Sequence, residues 1–136
     1  MKSTFKKAAE SLVASLMTHE EQYIQPLEKC IEVSAEEVGR RSCIFVCGNG
    51  GSAATASHIA NDLLCHLKNW NRESYRILAL TDNVSAITSL TNDYGPEEMF
   101  SRQLSAFGQK GDILWAFSTS GNSKNCVKAF EKAWEL

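Results

Sequence analysis

Five consecutive apolar residues, Cys43-Ile44-Phe45-Val46-Cys47, run directly into Gly48-Asn49-Gly50-Gly51-Ser52, and this junction constrains the fold more than any other stretch. A strand without polar alternation is buried on both faces, the habit of strands in parallel sheets covered by helices on each side. Parallel neighbours require long crossovers, so strands must alternate with helices along the chain.

The rest of the sequence supplies that alternation. Apolar residues at helical spacing from Phe5 to Leu16 predict a first helix. Thr18 with Glu21 has the spacing of a capping box that opens a second, carried by Tyr23, Ile24, Leu27 and Ile31 to Gly39. Ser52 to Leu67 reads as a helix, Tyr75 to Leu80 as a second strand and Val84 to Leu90 as a short helix. Pro96-Glu97-Glu98 is placed as a helix N-terminus prefers and predicts a helix to Phe107. Gly111-Asp112 marks a turn, Ile113 to Phe117 a third buried strand, and Lys124 onward a last helix. The expectation is a three-layer α/β sandwich with a parallel, flavodoxin-like sheet. A helical pair over residues 1–40 would pack on a core domain of residues 41–136.

Two loops sit where a buried strand hands over to a helix, the place at which open α/β sheets bind ligands. In Gly48-Asn49-Gly50-Gly51-Ser52 the glycines permit positive φ and close backbone approach, and the following helix offers free N–H groups and a positive dipole end. In Ser118-Thr119-Ser120-Gly121-Asn122-Ser123 four hydroxyls precede another helix, a set of neutral donors suited to phosphate. Each loop alone also has a plain structural reading, as a turn or as helix caps. Their equivalent placement favours a ligand site. The first loop lacks the Gly-Lys-Ser/Thr of a P-loop and the spacing of G-x-G-x-x-G. Asp82 lies just beyond the second strand rather than at its end, so a small phosphorylated ligand fits better than a nucleotide.

Composition narrows the partners. Fourteen basic against 16 acidic residues, for a net charge of −2, gives no basic surface for nucleic acid. No apolar run reaches the roughly 18 residues of a membrane span, and Glu10 interrupts the apolar residues after Lys2, Lys6 and Lys7, unlike a secretion signal. The five cysteines, Cys30, Cys43, Cys47, Cys65 and Cys126, are odd in number and without CxxC spacing. They read as reduced, buried small hydrophobes of a cytoplasmic protein.

Cys47-Gly48-Asn49-Gly50-Gly51-Ser52-Ala53-Ala54, His58, Thr91-Asn92-Asp93-Tyr94-Gly95, Phe100-Ser101-Arg102, Gly111-Asp112 and Ser118-Thr119-Ser120-Gly121-Asn122-Ser123 occur in the order and at the spacings of SIS (sugar isomerase) domains. Among these the chain resembles the sedoheptulose 7-phosphate isomerases, or phosphoheptose isomerases, over essentially its whole length. The resemblance implies interconversion of sedoheptulose 7-phosphate and D-glycero-D-manno-heptose 7-phosphate, on the way to nucleotide-activated heptose. It implies substrate contacts from Asn49, Gly50, Gly51, Ser52, Asp62, Asn92 and Asp93, and phosphate contacts from Ser118, Thr119, Ser120 and Ser123. It also implies a homo-oligomer, tetramer or dimer, with sites shared between subunits.

An aldose–ketose isomerase needs a base of tuned pKa and stabilisation of the enediolate oxygen. His58 and Asp62 are four residues apart on one helix face. They read either as a surface pair or as groups aimed into the site. The resemblance makes His58 a zinc ligand and Asp62 both ligand and proton-transfer group, with aspartate where the family has glutamate. The family's further glutamine and histidine ligands come from a later helix that has no counterpart here, and neither His19 nor His66 matches it. A fragment, a contribution from another subunit, or a non-catalytic SIS module that binds a sugar phosphate or a protein partner as a regulator are the readings this leaves. Trp70, Trp115 and Trp134 are assigned to structure, with Trp115 in a buried strand and Trp134 exposed. Arg102 reads as a solvated side chain or an intersubunit contact.

Overall fold

The computed structural model describes residues 2–18, 20–65 and 74–136, so His19, His66 and Trp70 lie outside the described residues. The chain forms two compact units, Met1–Glu36 and Glu37–Leu136.

The first unit holds α1 (Lys2–Thr18) and most of α2 (Glu20–Gly39). Thr18, read from sequence as a cap of the second helix, is the last residue of the first, and its hydroxyl donates to the Ala14 carbonyl at 2.7 Å. Pro26 lies within α2. Large apolar side chains of both helices stand in the open, Phe5 at 79%, Leu12 at 62% and Ile31 at 60% exposure.

The second unit is a parallel sheet of β1 (Ile44–Gly48), β2 (Ile77–Ala79) and β3 (Ile113–Phe117), in the order β2-β1-β3. All five residues of the central β1 are buried. Phe45 and Cys47 pack with Leu80, Phe100, Leu104, Cys126 and Ala129 on one face. Ile44 and Val46 pack with Ala56 on the other. Alternate residues of one strand thus fill two cores, and continuous apolarity is the consequence. The helix after β1, α3 (Gly51–Cys65), supplies Ala56 to one face. On the other face lie α5 (Ser101–Phe107) and α6 (Lys124–Glu135), which supply Leu104, Cys126 and Ala129.

The third strand is half-buried along its length, Trp115 included, where sequence predicts full burial. Its position at the edge of the described sheet, with β1 its one strand neighbour, explains the difference. At the start of the strands Asp112 joins the two edges of this pair. One carboxylate oxygen accepts from the Cys43 amide at 2.7 Å and the other from the Gln109 amide at 2.8 Å.

The helix α4 (Val84–Tyr94) runs further than predicted, capped by the Asn83 side chain accepting from the Ala86 amide and ended at Gly95, whose φ is 91°. The predicted helix from Pro96 begins only at Ser101. Residues 96–100 form turns instead, with the Glu98 amide donating to the Gly95 carbonyl. Glu97 and Glu98 leave the helix-start role because their carboxylates are taken up by Lys124 and Lys128 of α6.

Among the five cysteines, all free, Cys47 and Cys126 are buried and Cys43 half-buried, while Cys30 on α2 and Cys65 at the end of α3 are exposed among the described residues, against the burial expected from sequence. Burial pushes the Cys47 thiol far above its ordinary range, and the adjacent Cys126 adds to the shift. These are protonated packing groups. Among the described residues no helix is long and apolar enough to cross a membrane.

Candidate functional site

With β2 and β3 on opposite sides of β1, the helix after β1 leaves toward one face and the helix after β3 toward the other. That divergence opens a crevice at the strand ends, the switch point of a doubly wound sheet. The strand register pairs Gly48 with Phe117, so the two loops begin side by side.

Gly48 closes β1 where there is no room for a side chain. A Cβ there would stand 2.7 Å from the Ser52 Cβ and 2.8 Å from the Ser52 carbonyl atoms. Gly50 takes φ 54°, a left-handed conformation that glycine adopts freely. The Ser52 amide then donates to the Asn49 carbonyl at 2.9 Å, and the Ala53 and Ala54 amides to that of Gly50 at 3.1 and 3.2 Å. Gly51, by contrast, has open space where a Cβ would stand.

The second loop turns at Gly121, φ 69°, where its amide donates to the Ser118 carbonyl at 3.2 Å. Ser123 sits at the N-cap of α6 but makes no side-chain cap bond. Its hydroxyl lies 3.0 Å from that of Ser118, which is 3.4 Å from that of Ser120. Three hydroxyls therefore cluster at the positive end of a 12-residue helix. Thr119 is exposed beside them.

Asn49 and Asn125 join the loops. The Asn49 amide donates to Asn125 Oδ1 at 2.9 Å, and the Asn125 amide to Asn49 Oδ1 at 2.8 Å. Asn125 is buried, Asn49 exposed. Sequence reasoning missed Asn125, whose single cue is an amide in the first turn of the helix after the serine loop.

Further along α3, His58 Nε2 lies 3.2 Å from Asp62 Oδ2, both side chains substantially exposed. At 1.5 Å per residue, the His58 backbone is about 10 Å along the helix from Gly51. Between them Ser57 donates to Asp82 and lies 3.1 Å from the Thr81 hydroxyl, linking α3 to the end of β2. On α4, Asn92 donates to Asp93 at 2.8 Å. Both are exposed, and among the described residues their side chains bond to neither loop. Arg102 stacks on the Tyr94 ring, its guanidinium carbon 3.4 Å from the centroid.

A zinc ion takes four ligands in most protein sites, three of them from protein even when it is catalytic. Here His58 and Asp62 supply two, already paired with each other. Among the described residues no three His, Cys, Asp or Glu side chains converge on a metal position. The described donors do not by themselves fit zinc. A separate cleft of about 390 Å³ between α5 and α6 is lined by Glu98, Arg102, Lys128, Lys132 and Glu135 among others. No residue of either loop borders it, and within it Lys128 pairs with Glu98 and Lys132 with Glu135.

Paired glycine and hydroxyl loops at the switch point of a parallel sheet define an α/β ligand-binding domain. The SIS domain family matches residues 4–136. A phosphoheptose isomerase of Helicobacter pylori (strain Shi470) is 43% identical over 136 residues, all of this chain and 68% of that protein. Another, from Helicobacter pylori (strain ATCC 700392 / 26695), is 43% identical over 112 residues, 82% of this chain and 58% of that protein. The solved phosphoheptose isomerase of Neisseria gonorrhoeae superimposes with a TM-score of 0.83 at 36% identity, covering 98% of this chain and 68% of that one. The chain belongs to the SIS-domain family, within its phosphoheptose isomerase group. It spans 58% to 68% of the length of these relatives.

Proposed function

We propose that the protein is an aldose–ketose isomerase that interconverts sedoheptulose 7-phosphate and D-glycero-D-manno-heptose 7-phosphate, in the supply of nucleotide-activated heptose. The observation that carries this reading is the turning of the Ser123 hydroxyl away from its helix and toward Ser118. Serines serving only as caps would spend their oxygens on helix amides. Ser118, Thr119, Ser120 and Ser123 hold the phosphate, with the α6 dipole behind them. Asn49, Gly50, Gly51 and Ser52 hold the sugar, and Asn92 and Asp93 are assigned to its hydroxyls.

Asp62 is the proton-transfer group, taking the proton from the hydroxyl-bearing carbon beside the carbonyl and delivering it to the former carbonyl carbon. Through the enediol between them, the carbonyl oxygen gains a proton and the neighbouring hydroxyl gives one up. Its partner His58 orients the carboxylate. The protein works in the cytoplasm as a homo-oligomer. The exposed apolar residues of α1 and α2, among them Phe5, Leu12, Tyr23 and Leu27, are the surface proposed for subunit contact.

A second reading, a module that binds the sugar phosphate without turnover, is favoured by the presence of only two paired metal donors among the described residues. Incubation with sedoheptulose 7-phosphate, with and without added zinc, separates the two. Aldose product supports the isomerase, binding without product supports the module, and neither removes the site. Light scattering on the eluting protein tests the oligomer, and a monomer would refute it.

A further inference from the structure

We propose that Asn125 is a positioning residue that sets the affinity for the sugar by holding the Asn49 carboxamide in one orientation across the crevice. This rests on the reading of Asn49 as a sugar-binding group.

A carboxamide carries two N–H donors and two acceptor sites on its oxygen. Asn125 Oδ1 accepts from Asn49 at 2.9 Å and from the Cys126 amide at 3.0 Å, so both its acceptor sites are filled. Its amide donates to Asn49 at 2.8 Å, and the residue is 8% exposed. Asn125 thus has little capacity or access left for a ligand. Asn49 is in the opposite condition. It is exposed, and the exchange uses one of its donors and one of its acceptor sites. One N–H and one lone pair stay available, in directions fixed by the pair, for a sugar hydroxyl that both donates and accepts.

The pair also bridges the two halves of the site. Its members are 76 residues apart, one just before the left-handed Gly50, the other in the first turn of α6. A single hydrogen bond would leave the Asn49 carboxamide free to turn about that bond. Two antiparallel bonds fix its plane, and a preorganised group loses less entropy when it binds. Without Asn125 the loop keeps its backbone, since the Ser52, Ala53 and Ala54 amides hold it independently. The expected defect is therefore in sugar recognition rather than in the phosphate cradle.

The test uses the full chain with Asn49→Ala, Asn125→Leu and the double variant, titrated with sedoheptulose 7-phosphate and separately with inorganic phosphate. Loss of one oriented hydrogen bond predicts that each single variant weakens sugar-phosphate binding about tenfold. The double variant binds no more weakly than Asn49→Ala alone, and affinity for inorganic phosphate changes less than about twofold. A purely structural role of Asn125 would instead weaken both ligands together. Wild-type affinity in Asn125→Leu, or losses that multiply in the double variant, overturns the proposal. If Asn125→Leu does not fold, Asn125→Ala carries the same readout, because it removes both bonds to Asn49 without adding bulk or charge beside the serine loop. In the ligand-free protein the Asn49 side-chain amide protons report the pair directly by NMR, with slowed solvent exchange in wild type that is lost in either Asn125 variant. Absence of sugar-phosphate binding by the wild-type protein overturns the site reading itself, and the amide signals then show separately whether the pair forms.

Discussion

Ser123 stands at the N-cap of α6 with its hydroxyl 3.0 Å from that of Ser118 and no side-chain bond to the helix it begins. Capping is the ordinary use of a serine at such a position. Here the Cys126 amide donates to Asn125 Oδ1 and the two hydroxyls face each other, with the Ser120 hydroxyl 3.4 Å from that of Ser118.

A capping serine replaced by alanine costs about 1 kcal/mol of stability. Because the cap bond is not made, Ser123→Ala is expected to cost less than about 0.5 kcal/mol in denaturant unfolding. Hydrogen bonds to a charged group are worth about 1.5–3 kcal/mol, so the same variant should weaken phosphate-ester binding by roughly 10- to 100-fold. Calorimetric titration with sedoheptulose 7-phosphate alongside the unfolding curve checks both. A large stability loss with intact binding would return Ser123 to a structural role.

The first loop separates a glycine needed by the fold from one assigned to the ligand only by the proposed function. Gly48→Ala would place a methyl group 2.7 to 2.8 Å from Ser52 atoms, and overpacking of this kind costs about 1–3 kcal/mol. Gly51 begins α3 with nothing within 4 Å, so Gly51→Ala is expected to leave stability unchanged or raise it by up to about 1 kcal/mol. On the proposed role of Gly51, the added methyl group would nonetheless obstruct close approach of the sugar. Thermal unfolding should single out Gly48→Ala, and ligand titration should show a loss of affinity in Gly51→Ala without a loss of stability. Unaltered affinity would make Gly51 no more than a helix start.

The strand β1 was legible in sequence because both its faces feed a core, so its apolar run had one interpretation. The third strand was equally legible as a strand, but not in its degree of burial, which depends on what flanks it in the sheet. Pro96-Glu97-Glu98 misled because local helix-start preferences lost to pairing with Lys124 and Lys128, more than 25 residues away in sequence. Both loops announced themselves through glycine and serine. Asn125 did not, since the meaning of a buried asparagine lies in its partner, and that partner is 76 residues distant. Exposure of Cys30 and Cys65 was hidden for the same reason: a free cysteine carries no sign of which helix face will be covered.

The His58–Asp62 pair gives a prediction that divides binding from chemistry. Asp62→Asn keeps the shape and a hydrogen-bonding oxygen for His58 but removes the base. Turnover should fall by at least about 100-fold, the usual contribution of general base catalysis, while the dissociation constant for sedoheptulose 7-phosphate changes only a few-fold. His58→Ala should reduce turnover less than Asp62→Asn if its part is to orient the carboxylate. Equal turnover in wild type and Asp62→Asn would rule out Asp62 as the proton-transfer group.

Acid stability should report the anchoring of α6. Lys128 lies 2.6 Å from Glu98 and 3.7 Å from Glu97, and Lys124 2.9 Å from Glu97. The Lys128 hydrogen bond, with a second from Ser101, holds the Glu98 carboxyl below its ordinary range, and the Lys124 hydrogen bond does the same for Glu97. A carboxylate with a depressed folded pKa adds stability above its unfolded value, near 4.3, and loses it as pH falls through the folded value. Lys128 is shifted upward, mainly by its bond to Glu98, so its own contribution is present below about 10.4 and lost only as pH rises beyond that. The pairs therefore act at full strength across neutral pH and fade below about pH 4.3. Lys128→Met should lower the melting temperature slightly at pH 7, and the gap to wild type should close as pH approaches 3. Because these groups are within reach of solvent, the gap should also shrink in about 1 M salt, where the screening length falls to about 3 Å. Melting curves that stay parallel from pH 7 to pH 3 would mean that the pairs do not anchor the helix.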